Sequence, residues 1–168
     1  MKNQLASSEE YEIFWLLHQL NIGLIRSRRR ELHKYGISPI HAAVLFAIKV
    51  IGESATPAKI SWWVFREPNT ISALLDRMEK KGLLKKTKDL DRKNLIRVTL
   101  TEKGERAYRQ SVKRVSLRRI IFSLPKEERE QLKSYLGTLM DKTLKELRID
   151  RKLPFPLPCK SSAKMAKF

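Results

Sequence analysis

The sequence predicts a mainly α-helical protein with one small β-hairpin, because helical apolar periodicity covers most of the chain and strand-like alternation occurs at one place. That place follows a short helix, which Pro68 begins and Gly82 ends. Two strands then flank a charged turn at residues 89–93. A short helix with a polar start, followed directly by a basic hairpin, is the outline of a winged helix-turn-helix.

Three helices are predicted before this unit. Residues 9–34 carry apolar side chains near a 3.6-residue period, which predicts a long first helix. Ser38-Pro39 and Thr56-Pro57 each combine an N-cap residue with a first-turn proline, so each predicts the start of another helix. The third helix is expected over residues 58–65.

Two helical stretches and a tail are predicted after the hairpin. Thr101 is expected to cap one helix that continues to Phe122, and Leu124-Pro125 interrupts it before a last helix that ends near Leu147. The prolines and lysines beyond it predict an irregular tail. The first and last helices have apolar faces that the winged unit does not need for its own core, so we expect them to pack against a second copy in a two-fold homodimer.

The predicted organisation therefore has three parts. Residues 9–34 and 102–147 form a helical dimerisation region, residues 37–101 form the winged helix-turn-helix DNA-binding domain, and residues 148–168 form a basic, proline-containing tail.

The charge of the chain predicts an anionic partner. Lys and Arg number 36 against 18 Asp and Glu, which gives a formal net charge of +18. The excess begins at the predicted DNA-reading unit, continues along the helix after it, and reappears in the tail. Double-stranded DNA is the partner that fits this distribution and the predicted fold.

Several other classes are not expected. No apolar run approaches the ~20 residues needed to cross a bilayer, and the N-terminus lacks the order of a signal peptide, which predicts a cytoplasmic protein without a membrane partner. One cysteine, Cys159, excludes a disulfide framework, and three histidines without ligand spacing give no metal site. No nucleophile–base pair or phosphate-cradling glycine loop is present, so an enzyme is not expected.

The stretch from Ile37 to Tyr108 resembles the multiple antibiotic resistance regulator (MarR) family of bacterial transcription factors. The likeness is carried by NTISALLDRMEKKGLL at residues 69–84, DLDRKN at 89–94 and VTLTEKG at 98–104. The order of elements over residues 9–147 is similar to that family's as well.

The resemblance implies a homodimer whose terminal helices interlock and whose two winged lobes bind a pseudo-palindromic operator. It implies a transcriptional regulator, mostly a repressor, that a small-molecule effector releases from DNA by entering the crevice between the dimer helices and the winged lobe. Family members that sense oxidants use a cysteine in the first helix, and this chain has none there. No cofactor is implied.

DNA contacts are predicted at the start of the helix after Pro68 and on the hairpin. The start of a recognition helix enters the major groove, where the Asn69 amide can bind adenine. The resemblance implies that Asp91 steadies the wing or Arg77, and that Arg92 enters the minor groove. The lysines would contact phosphates. The predicted contacts are Pro68, Asn69, Thr70, Ser72, Arg77, Lys85, Lys86, Lys88, Asp91, Arg92 and Lys93.

These predictions have alternatives. A lysine-rich hairpin can be a solvated strand edge that discourages aggregation, and Asn69 can merely support the helix start. The net charge also fits a non-specific architectural DNA-binding protein, since phosphate neutralisation alone gives broad, salt-sensitive binding.

Tyr11, His18 and His41 are predicted to line the effector crevice. The alternative is that they are polar groups of the dimer interface whose hydrogen bonds are satisfied there.

Trp62 and Trp63 lie on the third helix, where members of the resembled family carry charged residues. One ring is expected to pack on the first or second helix while the other covers a lobe surface; the alternative is a ligand wall or a partner-binding face.

Overall fold

The computed structural model describes residues 8–89 and 95–150, and the described chain is mainly helical with one two-stranded antiparallel sheet. The predicted fold class, a helical protein with a hairpin wing, is confirmed. In chain order the elements are α1 (Glu9–His33), α2 (Pro39–Ile51), a 3-10 turn (Gly52–Ser54), α3 (Pro57–Val64), α4 (Pro68–Lys80), β1 (Leu84–Lys88), β2 (Ile96–Leu100), α5 (Glu102–Ser111), α6 (Val115–Ile121) and α7 (Lys126–Glu146).

Side-chain caps fix the starts of three helices. The Ser38 hydroxyl accepts the N–H of His41 at 3.4 Å, Thr56 accepts from Lys59 at 3.3 Å, and Thr101 accepts from Gly104 at 3.1 Å. Each bond satisfies one of the amide groups that a helix N-terminus leaves unpaired. All three capping residues were predicted from the sequence.

The core lies where α2, α3, α4 and the hairpin meet. The hairpin register pairs Leu84 with Leu100 and Lys86 with Val98, so these residues share the face that turns toward α4. The β2 strand is also tied to the end of the 3-10 turn, because the Val98 N–H donates to the Ala55 carbonyl at 3.0 Å. The fully buried large side chains are Leu32, Leu45, Ile60, Ile71, Leu75, Met78, Leu84, Val44 and Val98.

The single helix predicted from Thr101 to Phe122 is wrong, because the structure divides it into α5 and α6. Residues 112–114 break the helix, and Arg114 has a φ of 47°, in the left-handed region. Neither glycine nor proline occurs between Gly104 and Pro125, so no local signal marks this break.

The chain divides into two compact units, one up to Leu117 and one from Arg118. The first contains α1 to α5, so α5 belongs to the same unit as the winged domain. The second contains α7.

The N-terminal half of α1 is exposed on every side. Residues 8–20 are all exposed, although most of those from Tyr11 onward are apolar or aromatic. A helix that is apolar all round is normally buried. Its exposed large side chains are Tyr11, Ile13, Phe14, Trp15, Leu16, Leu17 and Leu20.

Among the residues that the structure describes, none of the helices combines the length and apolar character that crossing a membrane would require.

Candidate nucleic-acid interface

Helix α4 separates its side chains into a buried stripe and an exposed polar face. Ile71, Leu74, Leu75 and Met78 are buried in the core, at spacings of three and four residues. The positions before and between these residues are exposed and include the predicted contacts Pro68, Asn69, Thr70, Ser72 and Arg77. The buried stripe therefore fixes which face of α4 is available to a partner.

A tight turn between α3 and α4 sets the start of that face. The Ser61 hydroxyl donates to the Arg66 carbonyl at 2.5 Å, and the Arg66 N–H donates back to the Ser61 carbonyl at 3.2 Å. Phe65 adopts a φ of 55° at the turn. Arg66 is exposed beside the start of α4, and sequence reasoning did not select it, although its place just before Pro68 was a usable signal.

The end of the hairpin next to its turn is held by an ion pair and backbone hydrogen bonds. The Asp89 N–H donates to the Leu95 carbonyl at 2.8 Å, and the Arg97 Nε donates to the Asp89 carboxylate at 2.6 Å. Arg97 also reaches the Glu53 carbonyl at 3.4 Å. These bonds tie the hairpin to the turn after α2 and give it a defined orientation beside α4.

The three lysines of β1 differ in their surroundings. Lys85 and Lys88 are exposed, as phosphate contacts require. Lys86 instead lies on the face that turns toward α4, where its ammonium pairs with the Asp76 carboxylate and with Glu79 at 3.4 Å. The hydrogen bond to Asp76 raises the pKa of Lys86, and the same bond lowers the pKa of Asp76. The structure therefore gives Lys86 a different role from the predicted phosphate contact: it joins the hairpin to α4.

The predicted contact between Asp91 and Arg77 falls partly on residues outside the described chain. Asp91, Arg92 and Lys93 lie there, so their roles stay predictions. The Arg77 Nε donates to the Ala73 carbonyl at 3.1 Å. Since Ala73 lies one turn earlier, this bond directs the Arg77 side chain toward the start of α4.

The three residues predicted to line an effector crevice do not come together within the chain. Tyr11 and His18 are exposed on the N-terminal half of α1, where Tyr11 stacks on Trp15 at 6.5 Å and His18 stacks on Trp15 at 5.5 Å between ring centroids. His41 is buried in the first turn of α2, beyond the other end of α1, which is about 33 Å long from Tyr11 to His33.

His41 serves the helix start instead. Its Nδ1 accepts the Ser38 N–H at 3.3 Å, which completes a reciprocal capping box. Burial lowers the pKa of His41, and the positive charges of Lys81 and Arg77 lower it further. The imidazole therefore stays neutral near pH 7, as its acceptor role requires.

One of the two tryptophans is placed as expected. Trp63 packs edge-on against Phe46 of α2, with 5.6 Å between ring centroids. Trp62 is 45% exposed on the outer side of α3.

This geometry defines a class of protein: a buried helix stripe, an exposed polar helix face and an adjoining basic hairpin form a winged helix-turn-helix DNA-binding unit. Residues 37–104 match the family of the winged helix DNA-binding domain. No curated protein is significantly similar in sequence.

Several solved structures share the fold. The organohalide-sensing transcriptional regulator RdhR, in its 2,4-dichlorophenol-bound form, is 29% identical with a TM-score of 0.82, over 93% of this chain and 95% of that chain. A mutant MarR from E. coli complexed with operator DNA is 21% identical with a TM-score of 0.72, over 78% and 95% of the two chains. CouR from Rhodococcus jostii, bound to p-coumaroyl-CoA, is 19% identical with a TM-score of 0.67, over 88% and 99%.

Residues 37–104 are therefore a winged helix DNA-binding domain, and the solved structures confirm the resemblance to MarR-type regulators noted from the sequence.

Proposed function

We propose that this protein represses transcription as a homodimer bound to a pseudo-palindromic operator, and that a small molecule releases it. The observation that carries the proposal is the exposed polar face of α4 beside a hairpin with exposed lysines. The core fixes the α4 stripe, so the polar face is the part of the helix left for a major groove.

The contacts on this face follow from residue chemistry. Asn69 lies in the first turn of α4, where an amide can bind adenine in a bidentate way. The hydroxyl groups of Thr70 and Ser72 suit contacts with phosphates, or with phosphates and bases together. The Arg77 side chain points back toward the same end of the helix. Arg92 would enter the minor groove from the wing tip.

A second copy is proposed to cover the apolar α1. The exposed aromatic and leucine side chains of residues 8–20 are too numerous for a stable solvated helix. In this proposal residues 9–34 and 102–147 form the dimer, residues 37–101 read DNA, and residues 148–168 add phosphate contacts. Two copies would place half-sites about one helical turn, ~34–36 Å, apart.

The effector is proposed to be a small aromatic molecule. RdhR, whose likeness covers nearly the whole chain, binds 2,4-dichlorophenol, and the aromatic group Tyr11, Phe14, Trp15 and His18 supplies flat apolar surfaces of the kind such a ring packs on. His41 is left out of this site because it is committed to the α2 cap.

The proposal is tested by isolating the DNA sequence that the protein binds. The full chain is incubated with sheared genomic DNA of its source, bound fragments are sequenced, and the enriched sequence is titrated against a scrambled duplex of equal length. We expect the enriched duplex to bind about 10³-fold or more tightly at physiological salt, with a palindromic pattern. Equal affinities at every salt concentration would refute the proposal and favour a non-specific architectural protein.

Lys85→Met and Lys86→Met give a matched test of the hairpin, because both remove one charge from β1 and keep most of the side-chain stem. In the proposed dimer Lys85→Met removes two phosphate contacts, one from each copy, so it is expected to make the slope of log affinity against log salt shallower by about 2. Lys86→Met is expected to leave the slope unchanged and to lower thermal stability modestly, because Lys86 is paired with Asp76 and Glu79.

Fluorescence anisotropy across a salt series measures both slopes. An equal flattening in the two variants would show that Lys86 leaves its carboxylates for a phosphate when DNA binds, and would restore the prediction made from the sequence.

A further inference from the structure

The break between α5 and α6 is maintained by residues that are distant in sequence. Residues 105–121 contain neither glycine nor proline, so no residue type in this stretch prevents one continuous helix over residues 102–121. Arg114, a long side chain, nevertheless adopts a φ of 47°, which non-glycine residues seldom do. The local sequence therefore favours continuity, and an outside contact must favour the break.

That contact is an ion pair on α1. The Arg28 guanidinium lies 2.9 Å from the Glu31 carboxylate, and only 10% and 12% of the two side chains are exposed. Arg28 donates to the Ser111 carbonyl at the end of α5. Glu31 accepts the Val115 N–H at 2.9 Å, the Ser116 N–H at 3.0 Å and the Ser116 hydroxyl.

This pair supplies what two helix ends require. A helix C-terminus leaves carbonyls that a cation stabilises, and a helix N-terminus leaves amides that an anion stabilises. Burial opposes ionisation of Glu31, but the hydrogen bonds from Ser116 and Val115 and the adjacent Arg28 guanidinium lower its pKa to about 2. The carboxylate is therefore charged at any physiological pH.

In a continuous helix the same groups would satisfy each other. The Val115 N–H would bond to the Ser111 carbonyl and the Ser116 N–H to the Val112 carbonyl, following the i to i−4 pattern. The Ser111 carbonyl and the Val115 and Ser116 amides therefore have hydrogen-bond partners in either form, and the choice between the two forms depends on the α1 pair.

We propose that the α5–α6 junction is a two-state switch: the Arg28–Glu31 pair holds the broken form, and release of Glu31 lets residues 102–121 form one helix. The switch provides a route for regulating the winged domain from α1.

The junction reaches the DNA-reading unit through stacked side chains. The Arg114 guanidinium lies 5.0 Å from the Phe46 ring centroid on α2, and Phe46 packs on Trp63 of α3. Helix α3 precedes the turn that sets the start of α4. Straightening the junction withdraws Arg114 from Phe46 and removes one support of α3. This coupling rests on the proposed DNA-binding function, whereas the switch itself does not.

The switch is tested by NMR on the full chain without DNA. In Glu31→Ala, the ¹³Cα shifts of residues 112–115 are expected to become helical, and Arg114 is expected to leave the left-handed region. Glu105→Ala is the matched control, because it removes the 2.9 Å Lys49–Glu105 ion pair between α2 and α5 without touching the junction. Shifts in Glu31→Ala that stay as in the unaltered protein, or that become coil-like, would overturn the switch.

Two further variants guard against a Glu31→Ala protein that does not fold. Glu31→Gln keeps an acceptor oxygen and the side-chain volume, so it is expected to show a partial change in the same direction; no change there would overturn the switch as well. Adding Arg114→Gly to Glu31→Gln is expected to restore the broken form, because glycine adopts a positive φ freely. A persistent helical signal in that double variant would contradict the proposal.

DNA binding tests the coupling separately. The variant with the straightened junction is expected to bind the enriched duplex about fivefold or more weakly than Glu105→Ala, within the usual range of coupling between sites. Helical shifts with unchanged affinity would overturn the coupling and leave the switch standing. An unaltered protein that binds no duplex specifically would refute the proposed function and not the NMR result.

Discussion

Replacing Gly104 with alanine is expected to lower the free energy of unfolding by about 3 kcal/mol and the Tm by about 10 °C, because overpacking against rigid backbone cannot be relieved locally. Gly104 lies in the first turn of α5. A Cβ added there would lie 1.9 Å from the Leu83 carbonyl oxygen and 3.0 Å from the carbonyl carbon.

The Leu83 carbonyl is not able to retreat without further losses. It accepts the Thr101 N–H at 3.3 Å, and the Thr101 hydroxyl donates to the neighbouring Gly82 carbonyl at 2.6 Å. Thr101 is also the cap of α5. An alanine at 104 therefore separates the helix from the hairpin and removes the bonds that join them.

Gly23→Ala is the matched control for this prediction. Gly23 lies inside α1, is exposed, and has nothing within 4 Å of an added Cβ. Alanine is a better helix former than glycine, so this variant is expected to gain about 1 kcal/mol. Urea denaturation at a fixed protein concentration measures both changes. A neutral or stabilising Gly104→Ala would mean that α5 does not approach the hairpin as closely as described.

The parts of the fold that the sequence predicted correctly are those with short-range causes. Ser38, Thr56 and Thr101 cap helices through bonds to amides three residues away, and a pattern of neighbouring residues carries that information. The buried stripe of α4 has the same origin, since its period belongs to the helix itself.

The parts that the sequence did not predict depend on distant residues. The α5–α6 break is held by Arg28 and Glu31, which lie 83 to 85 positions before their partners, so no window of sequence contains both. Tertiary contact overrides the helical preference of residues 112–114 there.

Two of the predicted site residues have surroundings that the sequence did not indicate. Lys86 has the composition of a phosphate contact, but the hairpin register turns it toward Asp76 and Glu79. His41 suits a crevice by its chemistry, but its ring caps α2. Residue type indicated what each side chain is able to do, and the fold decided what surrounds it.

Leu16→Glu is expected to prevent dimer formation and to weaken operator binding by about 10²–10⁴-fold, because one winged domain then binds without the second one held nearby. Leu16 is 69% exposed on α1. A charge at that position therefore costs a single chain little, but at a proposed helix–helix interface it would be buried without a partner.

Gln19→Glu, an exposed position on the same helix, adds the same charge and serves as the control. Sedimentation analysis gives the assembly state, and anisotropy with whole and half operators gives the affinity. A Leu16→Glu protein that remains dimeric and binds the whole operator normally would refute the proposal that α1 forms the interface.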